Sequence, residues 1–433
     1  MIESLKSSSA RPTFKEAVRF WWKLGWISFG GTAAHIALMH DDLVEKKQWV
    51  ANDLFFHALS HCMLLPGPEA QQLAIYLGWK LHGRMGGIVA GLLFVLPSMF
   101  VLLALSVVYV QFGGLPWIAA MFTALKPTVV ALVILALIRV AARALTTMLQ
   151  RSICLGALAA TIGFHVSLPA VMLIVISLGI LGSRTPSHPA QTKAATETIE
   201  PSILGAKEIT RSLITISASA LALWLCPLMA LRFMSRDPFW TQLCFFFTRT
   251  AFVTFGGSYT VIPYVAHVAV AKYHWLSEAQ MLDGFALAET TPGPLIIVVA
   301  FVGFMAGFNH FHHSVLQGTL ALLATTFYTF LPCFLFVFAG APFVEKTHGK
   351  PGIERILRLI TAVVVAAMLD LTIFLIHGVL FPGGIVSLRG LDSIALGWIA
   401  ISLLLLRTFK MNVALVIGLS LILGFARWVF RIA

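Results

Sequence analysis

The sequence predicts an all-α protein that crosses the membrane many times and consists of two homologous halves arranged as inverted repeats. Of the 433 residues, 59% are hydrophobic and 11% are charged, whereas about a quarter of the residues in a soluble domain are charged. Apolar runs long enough to cross a hydrocarbon core of about 30 Å recur along the whole chain. A set of Phe, Gly, Trp and Pro residues also occurs twice, at a constant offset of 226 positions.

The repeated set begins in the first apolar segment of each half. Its members in the first half are Phe20, Lys23, Phe29-Gly30-Gly31, Trp49 and Pro66-Gly67-Pro68. Their counterparts are Phe246, Arg249, Phe255-Gly256-Gly257, Trp275 and Pro292-Gly293-Pro294. In both halves, residues that interrupt helices lie inside apolar segments, which is the pattern of transporters built from repeats with discontinuous helices.

The apolar segments predict 12 or 13 spans. In the first half they lie near 14–39, 54–78, 86–110, 115–138, 152–165 and 168–182, the last two forming either a hairpin or one bent span. In the second half they lie near 211–231, 240–270, 282–308, 315–343, 359–381, 393–406 and 411–426. The chain is therefore divided into an N-terminal repeat (1–182), a flexible polar linker (183–210), an extra span that inverts the topology (211–238) and a C-terminal repeat (239–433).

Lys and Arg in the short loops predict the orientation. The tail before Lys23 and the loops 79–84 and 139–151 are basic, whereas the loop 40–53 is net acidic and the loop 110–116 carries no charge. The N-terminus is therefore expected in the cytoplasm. The net charge of +12 arises from such scattered loops rather than from one face, so nucleic acid is not expected as a partner.

In the second half the charges are arranged the other way round. The loop 309–313 has neither Lys nor Arg, while the loop after the next span is basic. The two halves are thus expected to face opposite ways, with a substrate site near the pseudo-two-fold axis that relates them.

Each Pro-Gly-Pro motif predicts a break that leaves two half-helices, because it removes two backbone donors. The half-helix that begins at Pro68 is expected to point its free amides and positive dipole end toward the middle of the membrane, where an anion is well accommodated. Pro294 begins the equivalent half-helix. The alternative is a packing kink without a ligand.

Other residues near these motifs are candidates for the same site. The double glycines either let backbones approach each other or expose amides to a substrate. Lys23 and Arg249 are candidates to attract an oxyanion, and the alternative is that they extend to the membrane surface. Glu69, beside the first motif, and Glu289, three residues before the second, are candidate proton carriers.

Histidines allow two further interpretations. His35 is a candidate for the proton pathway, although a histidine on an apolar face is more often structural. His310, His312 and His313 form a pattern that suits a metal, but no carboxylate or thiolate is near them in sequence. No hydrolase, metalloprotease or P-loop motif occurs, so neither an enzyme nor a cofactor is expected. A membrane-embedded metal-dependent enzyme is kept as an alternative.

Four stretches carry a resemblance to a known family. FGGTAAHIALMHDDLVEKKQWV and LLPGPEAQQLAIYLGWKLHGRMGGIVAGLLFVLP resemble the signature region of the chromate ion transporter (CHR) family in its long-chain, two-domain form, and FGGSYTVIPYV and ALAETTPGPLIIVVAFVGF resemble its second domain. The resemblance implies efflux of chromate across a bacterial-type inner membrane, driven by the proton motive force, with sulfate as a competing oxyanion. Thr32 departs from the family pattern, which often has Pro at this position.

The residues that match the family motif complete the predicted site. The substrate-binding set is Gly30, Gly31, Pro66, Gly67, Pro68, Gln71, Gln72, Gly256, Gly257, Pro292, Gly293 and Pro294, with Lys23 and Arg249. The proton-coupling set is Glu69, Glu289 and His35. Because chromate and sulfate are tetrahedral dianions of nearly the same size, inward transport of sulfate or another small anion is an alternative. A monomer and a homodimer both agree with the resemblance.

Overall fold

A computed structural model describes residues 12–28, 31–63, 65–164, 166–182, 206–252, 254, 258–345, 351–383 and 390–430. Within these ranges the chain forms sixteen α-helices and no strand, which confirms the predicted all-α class. In the first half they are α1 (Phe14–Ile27), α2 (Gly31–His40), α3 (Asn52–Cys62), α4 (Glu69–Phe112), α5 (Pro116–Ala144), α6 (Met148–Leu158) and α7 (Leu168–Gly182). They continue with α8 (Ala206–Ser235), α9 (Pro238–Phe252), α10 (Ser258–His267), α11 (Glu278–Thr290), α12 (Val298–His310), α13 (Val315–Glu345), α14 (Pro351–Leu380), α15 (Ser393–Arg407) and α16 (Val413–Val429).

Helix length separates the described helices into two kinds. Five of them, α4, α5, α8, α13 and α14, are long and apolar enough to cross a bilayer. The other apolar helices have 10 to 17 residues. The predicted 12 or 13 spans therefore do not correspond to 12 or 13 full-length helices in the described part of the chain.

The predictions of single spans at 14–39 and 240–270 are wrong, because each segment forms two helices. α1 ends at Ile27 and α2 begins at Gly31, and in the second half α9 ends at Phe252 and α10 begins at Ser258. At each break a hydroxyl group donates to the carbonyl four residues earlier, Ser28 to Leu24 (2.5 Å) and Thr254 to Thr250 (2.7 Å). Such local hydrogen bonds compete with helix continuation, and glycines follow them in both halves.

α1 and α2 form a hairpin rather than a crossing. Trp49, in the loop after α2, packs edge-on against Phe20 of α1, with ring centroids 5.7 Å apart. If α2 continued in the direction of α1, Trp49 would lie roughly 30 Å farther along. The loop 40–53 thus lies beside α1, and its predicted placement on the opposite side of the membrane from the N-terminus is wrong. The second half has the same contact, because the ring centroids of Phe246 and Trp275 lie 5.5 Å apart.

The segments on either side of each Pro-Gly-Pro motif form a second hairpin. His61 in α3 and Tyr76 in α4 have ring centroids 5.2 Å apart, although the motif lies between them. In the second half, Gly284 of α11 packs directly on the ring of Phe301 of α12. Each half therefore begins with two hairpins of short helices.

α4 consists of two segments that pack against each other, and the second segment crosses the molecule. The backbone of α4 leaves helical values at His82 and Gly83, where the chain reverses, so that a Cβ at Gly91 would lie 2.5 Å from Cγ1 of Ile75. The bend lies near the start of α1, because the His82 ring is 5.6 Å from the ring of Phe14. The remainder of α4 rises about 44 Å to Phe112.

The hairpins of the second half enter from the end at which α4 finishes. The hydroxyl of Tyr109, in the last turn of α4, donates to Asp283 in the second turn of α11 at 2.9 Å. The hairpins of the two halves therefore start from opposite ends of the α4 segment that follows Gly83. Inversion of the halves relative to a membrane stays a prediction, as do the domain boundaries, and the linker 183–205 lies outside the described residues.

Two groups of hydrogen bonds attach the remaining long helices. Thr128 of α5 lies 3.0 Å from the hydroxyl of Ser402 in α15 and 2.6 Å from that of Ser420 in α16. The indole of Trp398 donates to Thr128 and Ser420 at 3.0 Å. α8 packs on the second half, because the indole of Trp224 donates to Thr248 of α9 at 2.8 Å.

The close packing of α16 on α5 gives a test of this arrangement. A Cβ atom at Gly424 would lie 2.6 Å from the carbonyl oxygen of Ala120 and 2.7 Å from the Cα of Met121. We expect Gly424→Ala to lower the free energy of unfolding by about 1–3 kcal/mol, because the backbone has to move. Gly418→Ala in the same helix is the matched control, since its Cβ meets nothing within 4 Å. Equal thermal unfolding midpoints of the two purified variants would contradict the packing described.

Candidate functional site

Two backbone hydrogen bonds join the Pro-Gly-Pro motif of each half to the other half. The N–H of Gly67 donates to the carbonyl of Thr254 at 2.6 Å, and the N–H of Gly293 donates to the carbonyl of Ser28 at 2.5 Å. The donors lie 226 positions apart, and so do the acceptors. The exchange is therefore reciprocal, as in contacts related by a two-fold axis. Each motif is thus hydrogen-bonded to the residue at the helix break of the opposite half.

Both glycines are required at these corners for two reasons. Their φ values of +124° and +103° lie in a region that residues with a side chain rarely adopt. A Cβ at Gly67 would also lie 2.7 Å from Nε2 of Gln72 and 2.9 Å from Sγ of Cys333, and one at Gly293 would lie 2.6 Å from Oγ of Ser98. Each motif thus packs against a long helix of the other half.

The partners of these glycines reveal a second repeat that the sequence analysis missed. Leu96-Pro97-Ser98 and Leu331-Pro332-Cys333 are similar tripeptides, but their offset is 235 rather than 226. The second half therefore has nine additional residues between the Pro-Gly-Pro motif and this tripeptide. A search that allowed the offset to change after the Pro-Gly-Pro motif would have found them.

At the Gly293 corner, the His35 side chain also lies within hydrogen-bond distance of the Ser28 carbonyl. Its Nε2 lies 3.1 Å from the carbonyl oxygen of Ser28, so the tautomer with hydrogen on Nε2 donates there. The imidazole is fully buried and packs edge-on against Phe94 at 5.6 Å. Its Nδ1 has no hydrogen-bond partner among the described residues.

At the Gly67 corner, glutamine side chains provide polar groups. Nε2 of Gln72 donates to the carbonyl of Pro66 at 2.6 Å. The Oε1 atoms of Gln71 and Gln72 are buried, and the described part of the chain offers them no hydrogen-bond partner. The equivalent positions in the second half are Ile297 and Val298, so this polarity belongs to one corner only.

The helix that follows the first motif begins without a side-chain cap. Pro68 precedes it and offers no side-chain cap, and the first amides, from Glu69 onward, have no intrahelical partner. In the second half, Leu295–Ile297 forms a short 3-10 turn before α12, with buried apolar side chains. The two half-helix starts, which were predicted to be alike, therefore differ in geometry and polarity.

The structure brings only part of the predicted site together. The amides of Gly67 and Gly293 are engaged with carbonyls, and the four prolines of the motifs have no N–H to offer an anion. Glu69 directly follows the first motif, Glu289 lies three residues before the second, and both are partly exposed. Oε1 of Glu289 lacks a hydrogen-bond partner within the described ranges.

The other predicted residues are exposed, follow a helix break or lie outside the described residues. Lys23 and Arg249 are exposed. Gly31 begins α2 with a φ of +79°. Gly30, Gly256 and Gly257 lie outside the described residues.

The three histidines between α12 and α13 do not form a metal centre in the part of the chain that the structure describes, where no group of three potential ligands occurs. Nε2 of His310 lies 3.1 Å from Oδ2 of Asp237 and the ring stacks on Phe239. Partial burial opposes ionisation of Asp237, but hydrogen bonds from the Phe239 amide and from His310 lower the pKa of its carboxyl group.

Comparisons with known proteins add an independent finding. A family model described as "Chromate transporter" matches residues 15–183 and 241–425. The chain is 29% identical to the chromate transport protein of Cupriavidus metallidurans, over 84% of this chain and 82% of that protein. It is 29% identical to the probable chromate transport protein of Synechococcus elongatus over 96% of each, and 32% identical to the chromate transport protein of Pseudomonas aeruginosa over 72% of this chain and 69% of that protein. No solved structure matches.

The clash expected at the Gly293 corner gives a test of the reciprocal packing. We expect Gly293→Ala to lower the free energy of unfolding by about 2–4 kcal/mol, from the unfavourable φ and from the contact with Ser98. Adding Ser98→Gly removes the contact and should restore part of the thermal stability.

Gly83→Ala is the matched control for backbone strain. Gly83 also has a positive φ, +65°, but its Cβ would meet nothing within 4 Å. Its effect on thermal unfolding should be smaller than that of Gly293→Ala. If Ser98→Gly gave no recovery in the Gly293→Ala background, the packing across the halves would not limit this corner.

Proposed function

The chain belongs to the chromate transporter family, and from this premise we propose that it exports chromate from the cytoplasm across a bacterial inner membrane by alternating access. The halves are inverted repeats in this proposal, and the N-terminus is cytoplasmic. The observation that carries it is the reciprocal pair of Gly67–Thr254 and Gly293–Ser28 hydrogen bonds, because these bring both helix breaks to one region between the halves.

The chromate site lies at the polar corner in this proposal. The uncapped start of α4 supplies backbone amides and the positive end of a helix dipole, which suit an anion. Gln71 and Gln72 lie in the first turn of the same helix and carry amide groups. Chromate is bound there without a full positive charge nearby, since Lys23 and Arg249 are exposed elsewhere.

Alternating access follows from the way in which the corners are joined. Each half holds the other through one short backbone hydrogen bond and the packing of one glycine against a long helix. When one half rocks against the other, these contacts change together, because both halves contribute to both corners.

The membrane potential and protons both favour export. An inside-negative potential drives a dianion outward by about 4–5 kcal/mol per 100 mV, from about 2.3 kcal/mol for each charge. Glu69, Glu289 and His35 are the proposed proton carriers, because they lie next to the corners and one of the carboxylate oxygens is unpaired in the described chain.

Flux measurements test the proposal. Labelled chromate should accumulate in inverted membrane vesicles that contain the protein, and an uncoupler should reduce the rate. Excess sulfate should compete if the corner recognises tetrahedral dianions through amides. Accumulation of sulfate alone would favour the alternative cargo, and accumulation of neither anion would contradict an oxyanion transporter.

The proposed proton carriers have their own test. We expect Glu69→Gln and Glu289→Gln to reduce the uncoupler-sensitive part of the flux by about tenfold or more, because the amide cannot carry a proton. Glu45→Gln, at an exposed position of the π-helical segment Asp41–Lys46, is the control and should transport like the wild type. Full uncoupler-sensitive flux in both variants would exclude these carboxylates as carriers.

A further inference from the structure

A cavity lies between the halves, and no residue of the Pro-Gly-Pro motifs lines it. Its volume is about 320 Å³, which is large enough for several water molecules or a small hydrated anion. It opens at the end of the molecule where α4 finishes and α11 begins. Its polar lining includes Tyr109, Lys126, Gln280, Asp283, Asn309 and His313.

An ion pair crosses this cavity from one half to the other. Nζ of Lys126 in α5 lies 2.9 Å from Oδ1 of Asp283 in α11, and the two side chains are 18% and 11% exposed. Oδ2 of Asp283 accepts a hydrogen bond from Tyr109 at 2.9 Å. Oδ1 has no well-aligned hydrogen bond within the described residues, so the ammonium is close to the carboxylate without being fixed to it.

Such a pair is poorly explained as a stabilising contact. Removing two charges from water costs several kcal/mol for each ion, and a well-packed apolar pair is often as stable. The repeat does not explain it either, because the positions equivalent to Lys126 and Asp283 carry Thr361 and His57. Ionisable residues inside membrane segments commonly line the path of a substrate or an ion.

The cavity lies at the start of α11, the helix that leads to the second Pro-Gly-Pro motif. Asp283 and Glu289 belong to the same helix, so about 10 Å of α11 separates the ion pair from the second motif. Among the described lining residues, Asp283 is the one carboxylate, whereas Lys126 is a cation and His313 becomes one when protonated. An anion that approaches from this end meets Lys126 before it reaches the motif.

We propose that Lys126 is a second anion-binding residue, at which a doubly charged oxyanion exchanges with the Asp283 carboxylate. A dianion is attracted to the ammonium more strongly than a single carboxylate charge is, so charge decides the exchange. Tyr109 holds the displaced carboxylate, while Gln280 offers the anion a further amide. This inference rests on the proposed function, because it assumes that the oxyanion passes through the space between the halves.

Equilibrium binding of labelled sulfate to the purified full-length protein tests the exchange. Asp283→Asn removes the competing carboxylate and should lower the Kd by about fivefold, whereas Lys126→Gln removes the cation and should raise it by about tenfold. The double variant should bind weakly, like Lys126→Gln. Perchlorate, which has the same shape and a single charge, should gain less from Asp283→Asn than sulfate does.

If the Lys126–Asp283 pair only stabilised the fold, the binding results would be the opposite. In that case both single variants would weaken binding alike, and the double variant would recover the wild-type Kd. Unchanged Kd values in Asp283→Asn and Lys126→Gln would also overturn the proposal. Asp42→Asn and Lys46→Gln are the control variants, because they remove an ion pair of 2.7 Å in the π-helical segment Asp41–Lys46, away from the cavity.

Tyr109→Phe keeps the inference testable if a charge variant does not fold. Without the hydroxyl, Asp283 stays on Lys126, and the Kd for sulfate should rise several-fold. A lower thermal stability with an unchanged Kd would indicate that the Tyr109, Asp283 and Lys126 contacts only stabilise the fold. Failure of the exchange is separate from failure of the proposed function, since a wild-type protein that transports neither chromate nor sulfate contradicts the function itself.

Discussion

The hydrogen bonds from Gly67 to Thr254 and from Gly293 to Ser28 are the constraint on which the rest of the structure depends. Each helix break leaves a backbone carbonyl inside an apolar protein, and each motif has one amide to donate. An unpaired backbone group in that environment would cost several kcal/mol. The two halves satisfy each other's breaks, so neither half has a complete interior alone.

The glycines follow from the same constraint. A carbonyl of one half reaches the amide of the other only if the chain turns with a positive φ and no side chain intervenes. The two corners nevertheless differ in chemistry, because the first is followed by glutamines and a carboxylate and the second by apolar residues. Both halves thus keep the positive φ of the glycine and its hydrogen bond to the other half, while the polar groups available to an anion belong to one half.

The sequence predicted the all-α class, the helix breaks at Pro66–Pro68 and Pro292–Pro294, and the family, because each depends on local residue types. It did not predict the hairpins, since apolarity indicates the length of a buried segment but not whether the chain returns. Trp49 against Phe20 decides that question, and it is a contact between distant positions. The Lys126–Asp283 pair was not predicted from the sequence for a similar reason. Each residue is an isolated charge in the sequence, and the cavity forms only when the halves come together.

The hairpins have a consequence for biosynthesis. Helices of 10 to 15 residues are too short to be inserted singly as stable spans, whereas α4, α5, α8, α13 and α14 meet the length requirement. Because a hairpin returns to the end from which it started, it contributes no net crossing, and the long helices decide on which side each loop emerges. Gly67 gains its backbone partner only after the ribosome has passed Thr254, and Ser28 only after it has passed Gly293, so the interior closes late in synthesis.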